Sequence, residues 1–137
     1  MSIALAHIAI AVDDMEKAMA LYSALGFSVG GAEIIERENV RICKVKKEGL
    51  CLELLEPYPA GAGGVAKFLA KRGPGLHHVA LRTSDIQSDL RKCEKMGINL
   101  LPGYPANGSE GSIVAFMHPN TTGGVLIELV EEKKEKV

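Results

Sequence analysis

The chain is 137 residues long, 47% hydrophobic, 24% charged and 4% aromatic, and its 16 basic and 17 acidic residues leave a formal net charge of -1. A domain of this size buries roughly two-thirds of its unfolded surface, so it needs neither a disulfide nor a structural metal to hold a core, and any metal it binds serves chemistry. The balanced charge supplies no global field for nucleic acid or an anionic membrane surface, and Cys43, Cys51 and Cys93, odd in number and without CxxC spacing, fit a reducing compartment better than a disulfide framework or a zinc knuckle.

The first apolar run, Ile3 to Val12, is too short to cross a bilayer and runs into Asp13 and Asp14. Without a basic leader or a cleavage site it reads as a strand, not a signal peptide, and predicts a cytoplasmic protein. Asp14 then opens a helix to Leu25, with Met15, Ala18, Met19 and Tyr22 at helical spacing and Gly26 as its stop. Three strand-like runs follow, Phe27 to Ile35, Val40 to Lys46 and Leu50 to Leu55. The stretch from Pro57 to Gly75, with five glycines around the amphipathic run Val65 to Lys71, reads as a linker carrying one helix. Beyond it come a strand at Leu76 to Thr83, a helix at Asp85 to Met96 stopped by Gly97, and strands at Ile98 to Leu101, Ser112 to Met117 and Gly124 to Val130. The closing Glu131 to Lys136 mixes both charges without an apolar stripe and reads as a solvated tail.

These elements are a repeat. His7-Ile-Ala-Ile-Ala-Val12 returns as His78-Val-Ala-Leu-Arg-Thr83, Asp14 as Asp85 and Gly26 as Gly97, all at one offset of 71 residues, while Leu52 to Glu56 returns as Ile127 to Glu131 at an offset of 75. Each half is βαβββ. The predicted organisation is one domain, 1–131, made of a module 3–57, a linker 58–75 and a module 76–131, followed by the charged tail 132–137.

Alternation puts His7 on one face of its strand with Leu5, Ala9 and Ala11, and the bulkier Ile8, Ile10 and Val12 on the other, the face expected to meet the helix. Small alanines leave space in front of the imidazole, and His78 with Ala80 repeats the arrangement. Glu53 shares its face with Cys51 and Leu55, and Glu128 with Leu126 and Val130, which is no water-facing pattern. Burying an ionised carboxylate without a partner costs more than a small domain can tolerate, so each glutamate is expected to be paired or metal-bound. Two imidazoles and two carboxylates at equivalent stations of two halves converge on one divalent ion if the halves face each other. Glu56 and Glu131 read as ordinary exposed edge residues, His77 as structural and His118 as a turn residue.

The βαβββ duplication with His, Glu, His and Glu at these stations resembles the vicinal oxygen chelate superfamily. Within it, Leu52-Glu-Leu-Leu-Glu-Pro57, Ala66-Lys-Phe-Leu-Ala-Lys-Arg-Gly-Pro-Gly-Leu-His-His78 and the phrase from His118-Pro to Gly123-Gly-Val-Leu-Ile-Glu-Leu129 are similar to the methylmalonyl-CoA epimerases. The resemblance covers residues 3 to 131. It implies an α+β fold in which two tandem βαβββ modules form a half-barrel around a metal site. It also implies metal ligands at His7, Glu53, His78 and Glu128, with Glu128 and Glu53 as the carboxylates that move the α-proton.

The implied cofactor is a divalent metal ion, and the ligand set does not choose among cobalt, manganese, nickel, zinc and magnesium. The implied partner is a small-molecule acyl-CoA substrate, with no nucleic acid and no membrane, in a homodimer. The same ligands would serve lactoylglutathione lyase chemistry, and a non-catalytic small-molecule binding module is the reading from another class. One position departs from the family pattern: a catalytic glutamate that some members carry on the third strand falls here on Arg41. Lys67, Lys71 and Arg72 are candidates for the coenzyme A phosphates, and Thr121, Thr122, Gly123 and Gly124 for the acyl carboxylate.

Overall fold

The structure is a computed structural model that describes residues 3–134, so residues 135–137 of the charged tail lie outside the described residues. Of the described residues, 7–77 form one compact unit and 78–134 together with 3–6 form the other.

In the first unit, strand β1 (Ile3–Ala11) leads into helix α1 (Met15–Ala24) and then β2 (Ser28–Ile35), β3 (Val40–Lys47) and β4 (Leu50–Pro57). β1 pairs parallel with β4, aligning Ala9 with Glu53 and Ala11 with Leu55, while β2–β3 and β3–β4 are antiparallel. Asp14 caps α1 by accepting from the Lys17 amide at 3.1 Å, and Gly26, at φ +91°, ends it in the left-handed conformation only glycine adopts freely. The bulky face of β1 meets α1 as its alternation predicts: Ile10 and Val12 pack with Met15, Ala18, Met19 and Tyr22 over Cys43, Val45 and Leu54.

The second unit repeats the plan with β5 (Gly75–Thr83), α3 (Ile86–Lys95), β6 (Ala106–Asn107), β7 (Ile113–Met117) and β8 (Ile127–Glu131). β5 runs parallel to β8 with Ala80 aligned on Glu128, and β7 runs antiparallel to both β8 and β6. Asp85 caps α3 by accepting from the Ser88 amide at 3.1 Å. The predicted α+β fold of two tandem βαβββ modules is therefore the observed one.

Three expectations need correction. The strand expected at Ile98 to Leu101 is a single bridge, Leu100 to Met117, and the ladder forms instead at Ala106–Asn107. Pro102 has no amide to donate and Gly103 turns the chain at φ +87°, so pairing cannot propagate from Leu100. The last strand starts at Ile127 rather than Gly124, because Gly123 and Gly124 both sit at positive φ in a turn closed by the Thr122 hydroxyl donating to the Val125 carbonyl.

Third, Glu56 and Glu131 are not exposed edge residues. The Glu56 carboxylate accepts from the Met15 amide at 2.7 Å and that of Glu131 from the Ile86 amide at 3.1 Å, so each module's last strand caps the start of its own helix. Glu56→Ala should therefore destabilise the protein by about 1 kcal/mol, the usual worth of a lost cap, with Glu56→Gln costing less, as read from chemical denaturation midpoints.

The linker forms helix α2 (Gly63–Arg72) and packs on the alanine face of the first unit: Val65, Phe68 and Leu69 lie against Ala9, Ala11, Ile35, Val40, Ile42 and Leu55. The small side chains thus make room for a helix rather than leaving open space beyond His7. A Cβ on Gly63, at φ +85°, would meet the Glu38 carbonyl oxygen at 2.9 Å, so only glycine lets the helix start this close to the β2–β3 turn. In the second unit Tyr104 takes the corresponding place, packed with Ala80, Val114, Val130 and Ala6. No helix of the described residues is long and apolar enough to cross a membrane.

Candidate functional site

Each unit holds one buried histidine–glutamate pair at the same station. In both, the glutamate stands opposite an alanine of the parallel neighbour strand, and the histidine precedes that alanine by two residues, so the side chains leave the same face of the sheet. His7 Nε2 lies 3.5 Å from Glu53 Oε2, and His78 Nε2 lies 3.1 Å from Glu128 Oε1, a hydrogen bond that the carboxylate accepts. Exposure is 7% for His7, 4% for Glu53, 6% for His78 and 6% for Glu128, among the few polar side chains in either core.

The surroundings of the two pairs differ. The His78 ring meets Phe116 edge-on, with centroids 5.0 Å apart at 90°, and Phe116 in turn meets Tyr104 at 5.2 Å. Phe116 stands directly opposite Glu128 across the β7–β8 ladder. In the first unit the residue opposite Glu53 is Lys44. Each pair offers one imidazole nitrogen and one carboxylate oxygen from strands that fix them, a nitrogen/oxygen donor set that suits borderline divalent ions and fits the metal expected from the sequence.

Other residues singled out from the sequence go elsewhere. Arg41 faces away from Glu53: on β3 it alternates with Ile42 and Lys44, and its guanidinium lies 3.1 Å from Glu16 and 3.5 Å from Glu56, beside α1. The hydrogen bond to Glu16 first, and the charge of both carboxylates, hold it above its ordinary pKa. Arg41 therefore does not stand where a base would act. His77 packs edge-on against Phe68 at 4.9 Å, and Arg72 reaches over the same ring at 5.7 Å. His118 accepts from the Asn120 amide through Nδ1, as a turn histidine does. Thr121 donates to the His118 carbonyl and Thr122 to that of Val125, so both hydroxyl protons are used within the loop. Burial pushes the Cys43 and Cys93 thiols up, so neither is a ready thiolate. Local spacing gave no sign of Lys44 or Phe116 as neighbours of the two glutamates; the signal lies in the cross-strand register.

The family model described as the glyoxalase/bleomycin resistance protein/dioxygenase superfamily matches residues 6–116. The chain belongs to this superfamily. Among its relatives, the chain is similar to the uncharacterized protein YqjC of Bacillus subtilis (strain 168), 34% identical over 95% of this chain and 93% of that one. It is also 34% identical to the ethylmalonyl-CoA/methylmalonyl-CoA epimerase of Cereibacter sphaeroides, over 90% of this chain and 93% of the relative. The crystal structure of the methylmalonyl-CoA epimerase from Mycobacterium tuberculosis superposes with a TM-score of 0.89 at 34% identity, covering 95% of this chain and 88% of that one. The likeness to methylmalonyl-CoA epimerases expected from the phrases at Leu52–Pro57, Ala66–His78 and His118–Leu129 thus holds over most of the chain.

Proposed function

We propose that this superfamily member is an isomerase that interconverts (R)- and (S)-methylmalonyl-CoA by moving the α-proton. The observation that carries the reading is the repetition of one buried His–Glu pair at the same station of both modules, in a chain whose characterised relatives carry the name of that activity. Pseudo-symmetric carboxylates suit a reaction that needs proton transfer on both faces of one carbon. Glu53 and Glu128 take those roles, each oriented by its histidine.

His7, Glu53, His78 and Glu128 would together hold a divalent ion. When bound, such an ion supplies electrostatic stabilisation of the charge that grows on the thioester oxygen. The protein side chains do the rest. Buried carboxylates, shielded from water, accept and return the proton without losing it to solvent at every turn. A cytoplasmic homodimer completes this reading.

The test is incubation with methylmalonyl-CoA in deuterated water, with and without chelator. Wash-in of deuterium at the α-carbon together with inversion, both lost on chelation and restored by a divalent ion, is the expected result. Turnover of lactoylglutathione instead, or binding without exchange, would replace this reading with a lyase or a non-catalytic module.

A further inference from the structure

The two modules differ in the residue paired with each glutamate across the antiparallel ladder. The residue opposite Glu128 is Phe116, an apolar wedge against His78; the residue opposite Glu53 is Lys44. Directly opposed residues of an antiparallel pair leave the same face with Cβ atoms about 5 Å apart, so Lys44 rises from the face that carries Glu53 and His7. Along β3 it is flanked by buried Cys43 and Val45 and is itself half-buried, whereas Lys46 and Lys47 are exposed. By alternation Lys44 shares its face of β3 with buried Val40 and Ile42, and the other copy of the fold has phenylalanine at this station.

A cation on this face offsets the charge of Glu53 and, when an anionic ligand arrives, bears on that charge as well. A carboxylate arriving near Glu53 meets like charge in a site of low dielectric, and one fixed ammonium offsets it. The threonines of the 121–124 loop do not take this role, since both hydroxyl protons are already donated to loop carbonyls. We propose that Lys44 determines specificity, receiving the free carboxylate of a 2-carboxyacyl thioester and so selecting malonyl-type over simple acyl-CoA. The proposal rests on the epimerase reading for the identity of the thioester.

Lys44→Met and Lys44→Arg test it by calorimetric binding of malonyl-CoA and of propionyl-CoA in both the wild-type and the Glu53→Gln background, and by KM and kcat for methylmalonyl-CoA and divalent-ion affinity in the wild-type background. Lys44→Met should weaken malonyl-CoA and raise KM about tenfold, the worth of one charge-assisted contact, with propionyl-CoA affinity and kcat nearly unchanged. Lys44→Arg should recover most of that loss. Removing a cation should leave divalent-ion binding equal or tighter, and the loss should shrink when Glu53→Gln removes the opposing charge. Equal weakening of both thioesters, or none, overturns the role of Lys44 while wild-type epimerisation stands. Lys44-dependent malonyl-CoA binding without any epimerisation overturns the proposed activity and keeps the carboxylate site. Failure of the wild type to bind malonyl-CoA overturns both.

Discussion

Glu128→Gln is expected to cut epimerisation by about a thousandfold, within the range that general acid–base groups contribute, and to do so mainly in kcat. Glutamine keeps the shape of the side chain and a hydrogen bond to His78, so the loss should come without a large change in melting temperature. The buried position makes the effect large: at 6% exposure the Glu128 carboxylate is shielded from bulk solvent, so solvent is a poor substitute for it as proton acceptor. Glu53→Gln should abolish inversion as well, for the same reason in the other module. If the two carboxylates serve opposite faces of the α-carbon, each variant retains deuterium exchange for one epimer only, and the two variants retain it for different epimers. Exchange of both epimers at the wild-type rate in Glu128→Gln would remove Glu128 from the reaction. The measurement is deuterium wash-in for each pure epimer, followed by mass spectrometry.

The second large effect is on stability and uses the duplication directly. Leu54 and Leu129 occupy equivalent positions, 0% and 1% exposed, each at the centre of its own module's helix-facing cluster. Leu54 touches Met15, Cys43 and Val45; Leu129 lies among Ile86, Cys93, Ala115 and Met117. Truncation to alanine removes buried methyl groups and leaves a cavity that helices α1 and α3, pinned by Asp14 and Glu56 or by Asp85 and Glu131, cannot collapse to fill. Either Leu54→Ala or Leu129→Ala should cost about 3 kcal/mol, a large share of a typical stability of about 5–15 kcal/mol, and lower the melting temperature by about 10 °C. Equal losses in the two variants are the signature of equivalent cores. A loss below about 1 kcal/mol in either would mean that its helix relaxes into the space. Calorimetric melting of both variants decides it.

What could be read from the residues follows from local periodicity. The period of two in Ile3–Ala11 and Gly75–Thr83 assigns His7 and His78 to the face away from α1 and α3, and the Asp14 and Asp85 caps with Gly26 and Gly97 set the helix limits to within a residue. The repeat offset then pairs every landmark with its counterpart, which is how both glutamates stand out from the other acidic residues. The roles of Glu56 and Glu131 are hidden from local spacing for the opposite reason. Their partners, the amides of Met15 and Ile86, lie 41 and 45 residues away in sequence, and no local pattern advertises a cap supplied from so far. The direction of Arg41 is likewise set from afar, by Glu16 on α1 and Glu56 on β4, 25 and 15 residues away in sequence.

The amino-acid sequence by itself therefore determined the two-module plan, the order of strands and helices, and the stations of His7, Glu53, His78 and Glu128, because strand alternation, helix caps and duplication are all written in nearest-neighbour spacing. Only the tertiary structure decided what those stations face: α2 covering Ala9 and Ala11, Tyr104 covering Ala80, Arg41 turned toward Glu16, and Lys44 set against Glu53 where the other module has Phe116. Those choices depend on which strand lies beside which and in what register, and register is fixed by the joint burial of residues far apart in the chain.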